Sequence, residues 1–145
     1  MKFRDEARLR GSFEIRVFKS GREMEHYRDD NMIMASARDA LARLIGGDGS
    51  GKTVTKIGVG TNGDGPSPDD AGLTKPYTKP VTGCTYPATG EAAFAFKIGA
   101  GEANGKAIRE FGLICSDGTL FARKTRGTIE KEDDIEIVGT WTIKF

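Results

Sequence analysis

Apolar and polar positions alternate along residues 13–18. Phe13, Ile15 and Val17 fall on one side of an extended chain, with Glu14, Arg16 and Phe18 on the other. Period two marks a strand with one buried face. Lys19-Ser20-Gly21-Arg22 reads as a hairpin turn, and the return strand is expected over about residues 23–28, where Asp29-Asp30-Asn31 breaks it.

The pattern then changes period. Ala37, Leu41, Leu44 and Ile45 recur at spacings of three and four, the apolar stripe of a helix. Ser36 suits the N-cap, and Gly46 and Gly47 suit the C-terminal stop, so one short helix is expected over about residues 36–46. Beyond it the β signal returns. Val54, Ile57 and Val59 predict a strand over residues 53–60. The stretch 61–75 holds Gly63, Gly65, Pro66, Pro68 and Gly72, and reads as a long loop with a functional or interfacial role. Residues 77–85 predict a strand that Pro76 and Pro80 place at an edge. Strands follow over 91–98, 108–115 and 120–124, with Asp117-Gly118 as a hairpin turn. Ile135, Ile137, Gly139, Trp141, Ile143 and Phe145 share one face of a last strand, expected near the centre of a sheet. The expected fold is mainly β: a two-layer antiparallel β-sandwich of about eight or nine strands with one short α-helix. An N-terminal arm over residues 1–11 precedes a single domain over residues 12–145.

Composition agrees. The 145 residues include 20 glycines spread among the ends of apolar patterns, as many turns require, and are 37% hydrophobic and 30% charged. Apolar runs are too short for a membrane-spanning helix. Residues 1–13 lack the apolar stretch of a secretory signal, so a cytoplasmic site of synthesis is expected. A net charge of +1 supplies no global field for nucleic acid or a membrane surface. The arm is locally basic, with Lys2, Arg4, Arg8 and Arg10 against Asp5 and Glu6, and is read as a candidate contact with a neighbouring subunit. Cys84 and Cys115 lie in apolar strand patterns and are expected as small buried hydrophobes. With one histidine, His26, the chain lacks the ligand supply of a zinc site.

Residues 46–53 match GxxxxGK[ST] at every position, with Gly46, Gly51, Lys52 and Thr53 as the defining residues. A phosphate loop needs a strand before it and a helix after it, so that backbone N–H groups converge on the anion. Here a helix precedes and a strand follows, and the match is read as coincidence. His26 beside Glu25 is read as a surface residue. A calcium site at Asp64, Asp69 and Asp70 lacks EF-hand spacing. Residues 121–126, with one aromatic before Arg123, Lys124 and Arg126, do not alternate as a nucleic-acid platform would. No catalytic residues, cofactor or metal are expected.

Several segments taken in order carry a likeness. Asn31-Met32-Ile33 leads into Ala40-Leu41-Ala42-Arg43-Leu44-Ile45, and a Gly/Asp/Ser connector into Ile57-Gly58-Val59-Gly60-Thr61. Ala71-Gly72-Leu73-Thr74 follows, then Gly101-Glu102-Ala103-Asn104-Gly105 and Ile108-Arg109-Glu110-Phe111-Gly112-Leu113. Asp117-Gly118-Thr119-Leu120-Phe121-Ala122-Arg123 and Trp141-Thr142-Ile143-Lys144-Phe145 close the set. This order, over residues 31–145, resembles small virion proteins of tailed bacteriophages of the tail, collar or fibre-like kind. The resemblance implies a non-enzymatic, homo-oligomeric virion component assembled in the host cytoplasm. Its partners would be other virion proteins, not nucleic acid or membrane. The contact residues expected are Lys2, Arg4, Arg8 and Arg10 on the arm and Asp64, Pro66, Asp69 and Asp70 on the long loop. Three alternatives stay open: a capsid decoration protein, a carbohydrate-binding attachment module using Tyr77, Tyr86 or Trp141, and a P-loop nucleotide binder.

Overall fold

The computed structural model describes residues 9–145; the arm residues Lys2, Arg4 and Arg8 lie outside them. The first strand, β1 (Arg10–Lys19), buries Gly11, Phe13, Ile15 and Val17 and turns Arg16 to solvent, as its alternation dictates. Arg10 and Gly11, assigned to the arm from sequence, belong to this strand. Ser20 and Gly21 both adopt positive φ (50° and 81°), the geometry of a two-residue hairpin turn. The return strand β2 (Arg22–Ile33) runs through Asp29-Asp30-Asn31, past its expected end. Those polar residues are tolerated because their strand faces are half-buried or exposed.

Helix α1 spans Ala35–Gly46. Met34, not Ser36, is the N-cap residue and makes no side-chain cap bond. The Ser36 hydroxyl instead donates to the Leu120 carbonyl at 2.7 Å, fastening the helix to the sheet. Gly47 closes the helix in the left-handed region (φ 83°), where its N–H and that of Asp48 bond the last carbonyls. The buried face is Ala37 and Ala40; Leu44 and Ile45, expected in the apolar stripe, stay exposed, Ile45 at 89%.

The remaining strands are β3 (Val54–Gly60), β4 (Tyr77–Pro80), β5 (Gly83–Thr85), β6 (Glu91–Ile98), β7 (Ala107–Cys115), β8 (Leu120–Glu130) and β9 (Ile135–Lys144). All pair antiparallel, in the order β4-β3-β7-β8-β2-β1-β9-β6-β5. The mainly-β class holds. Among the described residues the nine strands make one curled sheet, a half-barrel, and the layering of a two-layer sandwich is not confirmed. Two segments turn its corners. β2 pairs with β1 along most of its length and with β8 only at Met32 and Ile33. Residues 77–85, expected as one edge strand, split: β4 pairs with β3, Val81 N–H bonds Thr55 O, Thr82 N–H bonds Ala95 O, and β5 pairs with β6. Strands that bend from one half to the other are how a sheet folds onto itself.

The curl brings the inner faces together. Phe13 on β1 meets Trp141 on β9 and Phe111 on β7, each at 4.9 Å between ring centroids. Phe96 lies against the backbone of its register partner Gly139, where an added Cβ would collide with the ring. Glycine is therefore required inside this otherwise continuous apolar strand. Trp141 is fully buried, and its indole N–H donates to Asn31 Oδ1 at 2.7 Å, which places it in the core and away from any sugar.

Candidate functional site

Two loops flank β3, and both are anchored to the β7–β8 hairpin. The longer runs over residues 61–76. Ile57, Val59, Phe111 and Leu113 face the aromatic core, so Gly58, Gly60, Glu110 and Gly112 face outward by alternation. The loop folds back over that outer face. Leu73 sits on the flat floor made by the paired Gly58 and Gly112; a Cβ on Gly58 would stand 2.8 Å from its Cδ1.

Beneath the loop lie two buried charges, Glu110 (0% exposed) and Arg123 (2%). Glu110 Oε2 accepts the backbone N–H groups of Asn62 and Thr74, both at 2.9 Å, and so holds the two ends of the loop. Arg123 Nε donates to Glu110 Oε1 at 2.8 Å, its Nη1 to Asp70 Oδ2 at 2.9 Å and its Nη2 to the Asn62 carbonyl at 3.0 Å. Every polar arm of both side chains is engaged, the condition under which burying an ion pair is tolerable. Among the described residues no buried side-chain polar atom lacks a partner.

Sequence patterning does not reveal this network. Outward parity makes Glu110 and Arg123 read as solvated charges, and only the loop's return buries them. Three glycines at one face, Gly58, Gly60 and Gly112, are the sequence signal that something packs there. Of the loop residues named as contacts, Asp70 is turned inward onto Arg123, Pro66 is half-buried, and Asp64 and Asp69 remain exposed.

The shorter loop carries the GxxxxGK[ST] string. Helix α1 precedes it and β3 follows. Lys52 Nζ is turned onto Asp117 at 2.7 Å and also reaches Thr119 Oγ1 at 3.3 Å. Gly51 O accepts the Asp117 N–H and Thr53 O the Ser116 N–H, so the loop is stitched to the β7–β8 turn. Hydrogen bonds from Lys52 and Thr119 hold the Asp117 carboxyl well below the usual carboxylate range. The ammonium that would meet a phosphate is thus already neutralised, and the loop N–H groups do not open onto a following helix.

Two other charged side chains are sequestered. Lys131 is fully buried, its ammonium donating to Asn104 Oδ1 and Glu132 O at 2.8 Å and Ala100 O at 3.3 Å. Burial pushes it below the ordinary lysine value, against the opposing pull of Glu102, Asp133 and Asp134. Glu102 accepts from Lys79, Tyr77 and the Gly99 N–H. Burial pushes its carboxyl up, but these donors and the Lys79 charge prevail and hold it at about 2. Both groups tie the β6–β7 connection, residues 99–106, to its surroundings.

The other chemistry-bearing residues are dispersed. His26 Nε2 lies 2.8 Å from Glu14 on the exposed face of the first hairpin. Cys115 is buried, and burial pushes its thiol up to about 11, an inert state. Cys84, expected to be buried, is exposed, because β5 is a three-residue edge strand without cover on either side. Phe121 and Arg123 are buried, which removes the centre of the basic-aromatic segment 121–126 from any nucleic-acid surface. Among the described residues no three His, Cys, Asp or Glu side chains converge as a metal site would need.

One apolar concavity of about 260 Å³ opens where the sheet is incompletely closed. Leu41, Leu44 and Val54 form one wall, and Tyr86, Phe94 and Phe145 the other. Tyr86 is 78% exposed and Phe145 58%. Fold and site together define a curled-sheet β domain with a rigidly clamped surface loop and an apolar cleft. No family model, curated protein or solved structure matches the chain.

Proposed function

We propose that this chain is a non-enzymatic structural component of a tailed-phage virion, in the tail, neck or fibre region, acting through protein–protein contacts. One observation carries the reading. The scattered segments behind the resemblance meet around a single carboxylate. Glu110 comes from Ile108-Arg109-Glu110-Phe111-Gly112-Leu113, and Arg123 from Leu120-Phe121-Ala122-Arg123. Thr74 and Leu73 come from Ala71-Gly72-Leu73-Thr74, and Gly58 and Gly60 from Ile57-Gly58-Val59-Gly60-Thr61. The charged residues of these segments serve to fix a loop in shape. A fixed loop suits recognition by a partner, since its ordering cost is met on folding and not on association. The exposed Tyr86–Phe145 cleft adds an apolar surface of the kind partners cover.

Immunogold labelling of purified particles tests this directly. Gold at the tail or neck is expected. Particles without label, with the chain left in the soluble fraction, would overturn the proposal, and gold over the whole capsid would favour the decoration alternative.

A further inference from the structure

Among the described residues Lys131 is the one fully buried lysine, and it plays no part in the clamps on the two loops beside β3. Its backbone is fixed on both sides. The Lys131 N–H donates to the Lys106 carbonyl at 3.0 Å, and the Lys131 carbonyl accepts the Gly105 N–H at 2.8 Å. These bonds clip the turn after β8 to the turn before β7, and so hold Asn104 against Lys131. The ammonium faces three oxygens: Asn104 Oδ1 and Glu132 O at 2.8 Å and Ala100 O at 3.3 Å. Two of these belong to main-chain carbonyls. The third belongs to a side-chain carboxamide, whose carbon an amine can attack. Burial favours the uncharged amine, the nucleophilic form, against the pull of Glu102, Glu132, Asp133 and Asp134 toward the charged one. When the N–H shared with Oδ1 gives up its proton, the lone pair left behind points at the Asn104 side chain. Ala100 O and Glu132 O keep the other two N–H groups.

We infer that Lys131 and Asn104 form an intramolecular isopeptide bond, in which the lysine amine replaces the carboxamide nitrogen of Asn104. Lys131 Nζ attacks Asn104 Cγ. The Nζ–Cγ bond forms, the Cγ–Nδ2 bond breaks and Nδ2 departs. Of the three protons of the lysine ammonium, one stays on the new amide. The other two pass through water to the departing nitrogen, so one ammonium ion leaves and the charge balances. Neither oxidant nor reductant is needed. Asn104 is exposed, so water can carry these protons and the ammonium ion can escape, while the amine stays inside. Holding the two groups in contact meets the entropy of bringing them together before the reaction begins. Asn104 precedes Gly105, whose backbone nitrogen could attack the same carbon to give a succinimide. That N–H is committed to the Lys131 carbonyl, which leaves the lysine as the nucleophile. The product ties the β6–β7 connection to the β8–β9 turn covalently.

The bond forms within the isolated chain, so its test stands apart from the virion reading. Purified full-length protein, incubated folded at neutral pH, is expected to fall below its sequence mass by one ammonia. Its tryptic digest should contain a branched peptide that joins the Asn104 and Lys131 segments. Asn104→Ala changes an exposed side chain and is expected to keep the far-UV circular dichroism of the wild type, with full mass and linear peptides only. Lys131→Arg, which keeps a cation but offers no amine, should likewise lose the branched peptide. Wild-type protein at full mass overturns the inference. So does a loss of ammonia carried by linear peptides alone, the mark of the succinimide, or a branched peptide that persists in Asn104→Ala.

Discussion

The two loops that flank β3 are fastened by ion pairs to the same β7–β8 hairpin, yet by different physics. Under residues 61–76 the pair is Glu110–Arg123, with side chains 0% and 2% exposed. At residues 47–53 it is Lys52–Asp117, 21% and 33% exposed. Water can solvate Lys52 and Asp117 whether or not they meet, so their pairing is worth little. Glu110 and Arg123 have no such alternative. Their value lies less in mutual attraction than in the cost of leaving either one alone in the interior. The same contrast separates a loop whose position the fold dictates from one that is merely tethered.

Breaking the buried pair should therefore give the largest effect. Arg123→Met leaves Glu110 charged and facing apolar contacts, and is expected to cost about 3–5 kcal/mol in urea unfolding. Glu110→Leu in the same chain removes the stranded charge. It should still not restore stability, because the N–H groups of Asn62 and Thr74 lose their acceptor. Full recovery in the double variant would show that the pair, and not the loop closure, is what matters. Gly60→Ala probes the same clamp sterically. The new Cβ would lie 2.5 Å from Glu110 Oε2 and 2.8 Å from Thr74 O, and the displacement should cost about 1–3 kcal/mol.

This contrast also explains what the sequence could and could not convey. Strands with one buried face, such as β1 and β9, were legible because alternation is a local property. The end of α1 at Gly47 was legible for the same reason. The C-terminal half of the α1 stripe was not: Leu44 and Ile45 have helical spacing but stay exposed. Asp29-Asp30-Asn31 looked like a break because the partners that hold β2 there, on β1, are remote in sequence. The chain order around Lys52 was readable, and with it the mismatch to a phosphate loop. Glu110 and Arg123 were not readable as a pair, since their burial depends on a loop returning over a face that alternation assigns to solvent.

Glu102 supplies a test by pH. Its carboxyl falls from an ordinary 4.5 in the unfolded chain to about 2 in the fold. A depressed folded value means that the contribution is complete above about pH 4.5 and is lost as pH falls toward 2. The gap in melting temperature between wild type and Glu102→Gln is therefore expected to be constant from pH 7 to 5 and to close between pH 4.5 and 2. A gap that persists at pH 2 would assign the effect of Glu102→Gln to packing against Tyr77 and not to charge.

Lys52→Ala should give the smallest effect, and its smallness is informative. Asp117 keeps its bond from the Thr119 N–H at 3.0 Å when the lysine is gone, and water can replace the ammonium. The loop keeps its backbone stitches from Asp117 to Gly51 and from Ser116 to Thr53. Thermal unfolding is expected to be unchanged within the error of a scan. A fluorescent ATP analogue with Mg²⁺ is expected to show no micromolar binding to either protein, because Lys52 is already committed to Asp117 and β3, not a helix, follows the loop. Micromolar binding lost on Lys52→Ala would mean that the Lys52–Asp117 pair opens for phosphate. The weaker of the two fastenings would then be a latch, and the comparison between the loops would become one between a fixed surface and a movable one.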